Sequence, residues 1–260
     1  MPFTPAHSAA ALPFRRSRFV LSALVIGTMA PDFEYFLRLA PDAGFGHTLL
    51  GTFVLTLPVA LLVLWIFHTF VKTPAIMLLP DGIQRRLSGH VQKFRFGGAA
   101  RFSLIVFSVL LGIATHLFWD SFTHPAAWIV QHWSVLRQSL HLPIVGQIHV
   151  YKILQHGSTI VGIGLLSIWF MHWYRTTGCF APPIGESLSP MRRLAISAGV
   201  GTVALAGAVL RGVMSAGASS GDLASKKFIG EVIVTAIALA WWQLVAYGWF
   251  SSRMPSGNTV

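Results

Sequence analysis

Three side chains able to bind a divalent metal recur at a spacing of four in Thr115-His116-Leu117-Phe118-Trp119-Asp120-Ser121-Phe122-Thr123-His124. Residues four apart share a helix face, so His116, Asp120 and His124 form one column if a helix runs through all three. Imidazole and carboxylate at that spacing are what a divalent ion takes from a single helix. His124 precedes Pro125, which disfavours helical geometry there and sets it apart from the other two. More acids and bases lie at the ends of other apolar runs. Asp32 and Glu34 stand in Pro31-Asp32-Phe33-Glu34-Tyr35, His47 in Gly46-His47-Thr48, and Lys152 and His156 in Tyr151-Lys152-Ile153-Leu154-Gln155-His156.

Each of these has a plainer reading. His47 would cap a span, His116 would hydrogen-bond between helices, and Lys152 would mark an interface. Asp32 and Glu34 would end a helix at Pro31. Yet ionisable groups in apolar surroundings are costly unless paired, ligated or wet. The chain has only eight Asp and Glu residues, and three of them fall here. That concentration favours one shared site.

The elements that must position such a site are membrane helices. The chain is 54% hydrophobic and 10% charged, with a mean hydropathy of +0.65, whereas soluble domains carry about 25% charged residues. The fold class expected is all-α, a polytopic integral membrane bundle of five or six transmembrane helices. The net charge of +11 comes from basic residues that punctuate apolar runs. That pattern suits the flanks of spans and argues against nucleic acid as a partner. The single cysteine, Cys179, excludes an intrachain disulfide and a cysteine-rich metal site, and reads as an incidental interfacial residue.

A span needs roughly 20 mostly apolar residues. Thr48 to Phe67, Phe102 to Trp119, Gly157 to Tyr174, Leu194 to Leu210 and Val232 to Phe250 qualify or come close. Leu194 to Leu210 is rich in Gly, Ala and Ser, which suits close helix packing. Phe19 to Leu39 is ambiguous. Its apolar part, Phe19 to Ala30, is too short to cross, so it is either a sixth span with acids at its outer end or a half-inserted segment. With six spans, most Lys and Arg residues fall on one side with both termini, the long loop from Lys72 to Arg101 contributing most. If the first segment does not cross, only the N-terminal arginines change side, and the C-terminus stays cytoplasmic. Ser121 to Lys152 reads as an interfacial loop or a short amphipathic helix. The whole chain reads as one membrane domain, with the site in residues 1–175 and two scaffold helices in 190–251.

The opening Met1-Pro2-Phe3-Thr4-Pro5-Ala6-His7, the Met29-Ala30-Pro31-Asp32-Phe33-Glu34-Tyr35 segment, Gly46-His47-Thr48, Thr115-His116 through His124-Pro125, and Gln155-His156-Gly157-Ser158 resemble an uncharacterised bacterial membrane family, domain of unknown function 4184. The resemblance covers about residues 1–175. More distantly, the order His, Pro-Asp-x-acid, His, His-x-x-x-Asp is similar to that of the YdjM-like membrane-bound metal-dependent hydrolases. There the second acid is usually Asp and a two-histidine motif is common; here Glu34 and a single His47 stand instead. The resemblance implies that His7 joins the polar set and that the protein lies in a bacterial cytoplasmic (inner) membrane. A spanning first segment would put His7 on the face opposite Asp32, whereas a half-inserted one returns it to the site.

The function expected is a metal-dependent hydrolase acting on a lipid-like or phosphate ester at the membrane interface. His47, His116, Asp120 and Asp32, with His7, would bind one or two Zn²⁺-like ions, Mn²⁺ or Fe²⁺ fitting similarly. Glu34 would act as general base, and His124, His156 and Lys152 would stabilise a developing oxyanion. Membrane lipids and a lipid-like substrate are the partners expected. A metal-ion or proton-coupled transporter would use the same residues, but the acids cluster at one face and no repeat is visible. A non-catalytic scaffold, with the histidines serving packing or a structural metal, is the third reading.

Overall fold

In a computed structural model of the protein, the residues described are 3–40, 44–90, 94–143, 146–178, 188–216 and 222–253; Cys179 lies outside them. The chain begins with a 3-10 helix, Thr4–Phe14, with Pro5 in its first turn. Proline is tolerated there because its missing N–H would have no partner in any case. Helix α1, Leu21–Met29, follows. A 3-10 turn over Ala30–Asp32, carrying Pro31, leads into α2, Phe33–Arg38. The stretch Leu21–Arg38, with Asp32, Glu34 and Arg38 inside it, is not among the candidate spans of the described residues.

Among the described residues, five helices are long and apolar enough to cross a membrane. The first is α3, Leu49–Leu78. Its turns widen to π-helix at Thr52–Thr56 and at Phe67–Val71, just ahead of Pro58 and Pro74 respectively. Proline removes a backbone donor and clashes with the carbonyl one turn back, and a π-bulge relieves both. A short helix α4, Asp81–Leu87, precedes the second candidate span, α5, Ala99–Asp120. The segment after α5 is more structured than a loop or single helix. It holds α6, Trp128–His132, α7, Ser134–Arg137, and a hairpin of β1, Ser139–Leu142, with β2, Gly146–His149. The strands are antiparallel, with Ser139 opposite His149 and Leu142 opposite Gly146. They are too short for alternation of apolar and polar residues to announce them. The remaining candidate spans lie in α8, Val150–Thr176, α9, Pro190–Ala216, and α10, Asp222–Ser251.

The chain divides into two compact units. The first comprises Met1–Phe33, Gly44–Leu62 and Phe96–Trp173. Its core is the crossing of α1 and α5, where Ala23, Leu24, Ile105, Val109 and Ile113 are fully buried. Glycines set how near the two helices come. A Cβ on Gly27 would run into the Val109 carbonyl, and one on Gly112 into the Leu24 carbonyl and the Thr28 amide. Small residues at such a crossing let backbones touch. The 3-10 helix rests on α8 in the same way, because Gly162 leaves room for the Ala6 carbonyl. The Phe3 amide donates to Thr159 Oγ1 at 3.0 Å. Phe107, Phe118, Ile160 and Ile168 stay exposed, as suits faces turned to hydrocarbon rather than water.

The second unit comprises Glu34–Ala43, Val63–Arg95 and Tyr174–Val260. Here α9 and α10 pack through Gly207 against Leu239 and Gly212 against Val232 and Phe228. Arg193 pairs with Asp81 at 2.6 Å, and Ser215 donates to Glu231 at 2.8 Å.

Candidate metal centre

Four stretches of the first unit bring six polar side chains together. The 3-10 helix contributes His7, the turn before α2 contributes Asp32, and a 3-10 turn over Phe45–His47 contributes His47. Helix α5 contributes His116 and Asp120, and His124 follows in the turn behind it. Local chemistry holds each stretch in place. Thr48 caps α3 by accepting from the Gly51 amide, and Thr56, in the first π-helical turn, donates to the Gly46 carbonyl at 3.0 Å. The widened turn thus anchors the backbone beside His47. The Gly27–Gly112 contact sets α1 against α5 and so brings the end of α1 level with His116.

The atoms meet at distances that recur. His116 Nε2 lies 3.2 Å from Asp120 Oδ2 and 3.6 Å from Asp32 Oδ1. His47 Nε2 lies 3.6 Å from Asp32 Oδ1 and 3.7 Å from Asp120 Oδ2. His7 Nε2 is 3.6 Å from Asp120 Oδ1, and His124 Nδ1 is 3.4 Å from Asp120 Oδ2. Ligand atoms bonded at roughly 2.0–2.2 Å to a tetrahedral ion stand about 3.3–3.6 Å apart. His7 Nε2, Asp32 Oδ1, His47 Nε2, His116 Nε2, Asp120 Oδ2 and His124 Nδ1 are buried and have no hydrogen-bond partner. Apart from one another these six atoms have nothing to pair with, and a cation at their centre would satisfy all of them at once. Among the described residues, two groups of three could hold an ion, His7 with Asp32 and His116, and His47 with His116 and Asp120.

The outer hydrogen bonds aim these atoms inward. His116 Nδ1 is 2.8 Å from the Thr28 carbonyl. A carbonyl only accepts, so Nδ1 carries the proton and Nε2 presents its lone pair to the centre. Thr4 Oγ1 donates to Asp32 Oδ2 at 2.6 Å, which leaves Oδ1 for the centre. Such second-layer bonds fix tautomer and ligand orientation in metal sites. Because His116 offers one lone pair, the two groups of three cannot both use it at once. They are two views of one cluster rather than two complete sites.

The electrostatics separate the histidines. Burial pushes His7 down to about 4, the stacked His116 ring 3.9 Å away adding to the effect. Burial lowers His124 as well. Burial alone would also lower His47, but Asp120 and Asp32 outweigh it and push His47 up to about 9.

His7, Asp32, His47, His116 and Asp120 therefore meet, and His124 joins them despite Pro125. The other three expected residues are engaged otherwise. Glu34 belongs to the second unit, buried, with its Oε1 taken by Arg38 Nη2 at 2.6 Å and by Nε at 2.9 Å. Lys152 donates to Gln155 Oε1 at 2.9 Å, and His156 is exposed. Sequence reasoning did not single out Thr4 or Thr28. Thr4 had a signal, standing three residues before His7 in the opening motif, whereas Thr28 acts through its carbonyl, which any residue would supply.

The profile of one family, described as "Domain of unknown function (DUF4184)", matches residues 1–249. No curated protein and no solved structure matches the chain.

Proposed function

The chain belongs to the DUF4184 family, and from that premise we propose that it is a membrane-embedded, metal-dependent hydrolase of a lipid-like or phosphate ester. The observation that carries this reading is the convergence of six orphaned, buried ligand atoms from four stretches at coordination-edge distances. His7, Asp32, His47, His116 and Asp120 would hold the ion. Their mixed nitrogen and oxygen set suits Zn²⁺, with Mn²⁺ or Fe²⁺ as alternatives. A divalent ion there supplies Lewis-acid polarisation of an ester oxygen and acidifies an attacking water.

The protein's own residues do the rest. Asp32 and Asp120 balance the charge, and the bonds from Thr4 and to Thr28 hold two ligands in register. His124, lowered by burial and half-exposed, is neutral at pH 7 and placed to accept a proton. The water oxygen bonds to phosphorus or acyl carbon and the ester C–O or P–O bond breaks. His124 passes the proton to the leaving alkoxide. Glu34 is the weaker candidate for this role, since Arg38 occupies the lone pairs of its Oε1. A bacterial inner membrane with a cytoplasmic C-terminus accords with the loop charge, and the similarity to YdjM-like hydrolases points to the same chemistry.

Metal analysis of purified protein tests the reading, followed by hydrolysis of phosphate and carboxylate esters. Wild type should hold near-stoichiometric Zn²⁺, Mn²⁺ or Fe²⁺, and His116→Ala with Asp120→Ala should lose it together with turnover. Metal-free wild type, or metal content unchanged in the double variant, would overturn it.

A further inference from the structure

A cleft of about 860 Å³ opens within the first unit between the 3-10 helix, α5 and α8, and His7 forms part of its wall. That volume is in the range of small-molecule sites, roughly 300–1,000 Å³. Its floor is shallow-sided because Ala6, Ala9 and Ala10 line it where larger residues would fill it. Two lining side chains carry hydroxyls, and both are spent on their own helices. Thr115 donates to the Gly112 carbonyl at 2.7 Å and Ser158 to the Gln155 carbonyl at 3.0 Å. A polar ligand would therefore lose its hydration along most of this surface and gain nothing in return. Polarity returns only at His7, whose Nε2 lacks a hydrogen-bond partner and faces Asp120, and at the indole of Trp119, next to Asp120 in sequence. Tryptophan favours the level where hydrocarbon meets head groups. The two long walls, α5 and α8, are both candidate spans, so a ligand enters from the bilayer rather than from water.

We infer that this cleft binds one hydrocarbon chain of a membrane lipid and delivers the lipid's polar end to the histidine–aspartate cluster. The assignment deepens the hydrolase reading and rests on it for the head group, an ester. The chain site itself rests on the shape and chemistry of the wall. A long chain meets this apolar wall along more of its length than a short one does, so chain length should govern binding to the cleft.

Gly157 lines the cleft, and a Cβ there would meet nothing within 4 Å. Gly157→Leu therefore fills the cleft without displacing the backbone, and Gly157→Ala is the milder step should the leucine variant fold poorly. The probe is dodecyl phosphate with a terminal diazirine, photolysed with Zn²⁺-loaded protein in lipid nanodiscs and mapped by mass spectrometry. Labels should concentrate on the 3-10 helix and on α8 around Val161 and Leu165, and unlabelled dodecyl phosphate should displace the probe better than butyl phosphate. Gly157→Leu should cut cleft labelling about tenfold, because its side chain takes the space that the hydrocarbon chain would fill. Ile160→Ala, on an exposed residue outside the cleft, should leave it unchanged, and both variants should keep their metal. Labelling spread evenly over exposed residues such as Ile160, or unaffected by Gly157→Leu, would overturn the inference. Cleft labelling in a protein that hydrolyses no dodecyl ester would overturn the hydrolase reading alone. Turnover of a short-chain ester without cleft labelling would overturn the chain site alone.

Discussion

The Nδ1 of His116 lies 2.8 Å from the carbonyl of Thr28, across the crossing of two helices that glycine alone permits. This contact couples packing to chemistry. The carbonyl belongs to the last turn of α1, and its height relative to His116 depends on Gly27 and Gly112 touching the opposite backbones. A small-residue crossing here sets the tautomer of His116.

Gly112→Ala should therefore damage the centre without touching it. Its Cβ would meet backbone atoms of Leu24 and Thr28, which cannot rotate away, so α1 must shift. Overpacking of this kind costs about 1–3 kcal/mol, and losing an outer-layer partner lowers metal affinity by about 10–100-fold. Thermal unfolding and competition for Zn²⁺ with a fluorescent chelator would measure both. Unchanged affinity in a destabilised variant would uncouple His116 from Thr28.

Thr4 offers a test confined to orientation. Its hydroxyl donates to Asp32 Oδ2 at 2.6 Å, and Asp32 is fully buried. Thr4→Val keeps the shape and removes the donor, so metal affinity should fall by about tenfold while stoichiometry is retained. Thr4→Ser, which restores the hydroxyl, should recover most of it. Equal behaviour of the two variants would assign Thr4 to packing.

The parts legible from sequence are those written in residue type. Helical spacing placed His116 and Asp120 on one face, and five apolar stretches anticipated the five helices that, among the described residues, are long and apolar enough to cross. What spacing could not reveal was long-range closure. His7 and Asp120 are far apart in the chain, and nothing local says that a 3-10 helix folds back onto α8 against Gly162. His124 shows the opposite failure. Pro125 does end the helix, but the turn that follows still keeps the imidazole 3.4 Å from Asp120. The hairpin Ser139–His149 escaped notice because its strands are four residues each.

Removing the metal should loosen the N-terminal 3-10 helix before anything else in the first unit. His7 is that helix's contribution to the cluster, whereas the crossing of α1 and α5 has its own apolar core. Chelation should raise amide hydrogen exchange over residues 4–14 more than over residues 104–113. Added Zn²⁺ should raise the unfolding temperature of wild type, by mass action on the folded state. His7→Ala should shrink that rise, and exchange insensitive to chelation would separate His7 from the ion.

Metal uptake should also release protons in a direction that the histidines fix. In the metal-free cluster His47 is pushed up to about 9 by Asp120 and Asp32, so it is protonated at pH 7.5. His7, held at about 4, is already neutral and has no proton to give. A metal binds only the neutral imidazole, so uptake at pH 7.5 should release about one proton from His47. Apparent affinity should climb with pH up to about 9, where His47 loses its proton without help, and then level off. Calorimetry of Zn²⁺ binding in buffers of different ionisation enthalpy counts the protons. His47→Gln should abolish the release while the ligands from α5 and the 3-10 helix still bind the ion more weakly. Release undiminished in that variant would mean that the proton comes from another group.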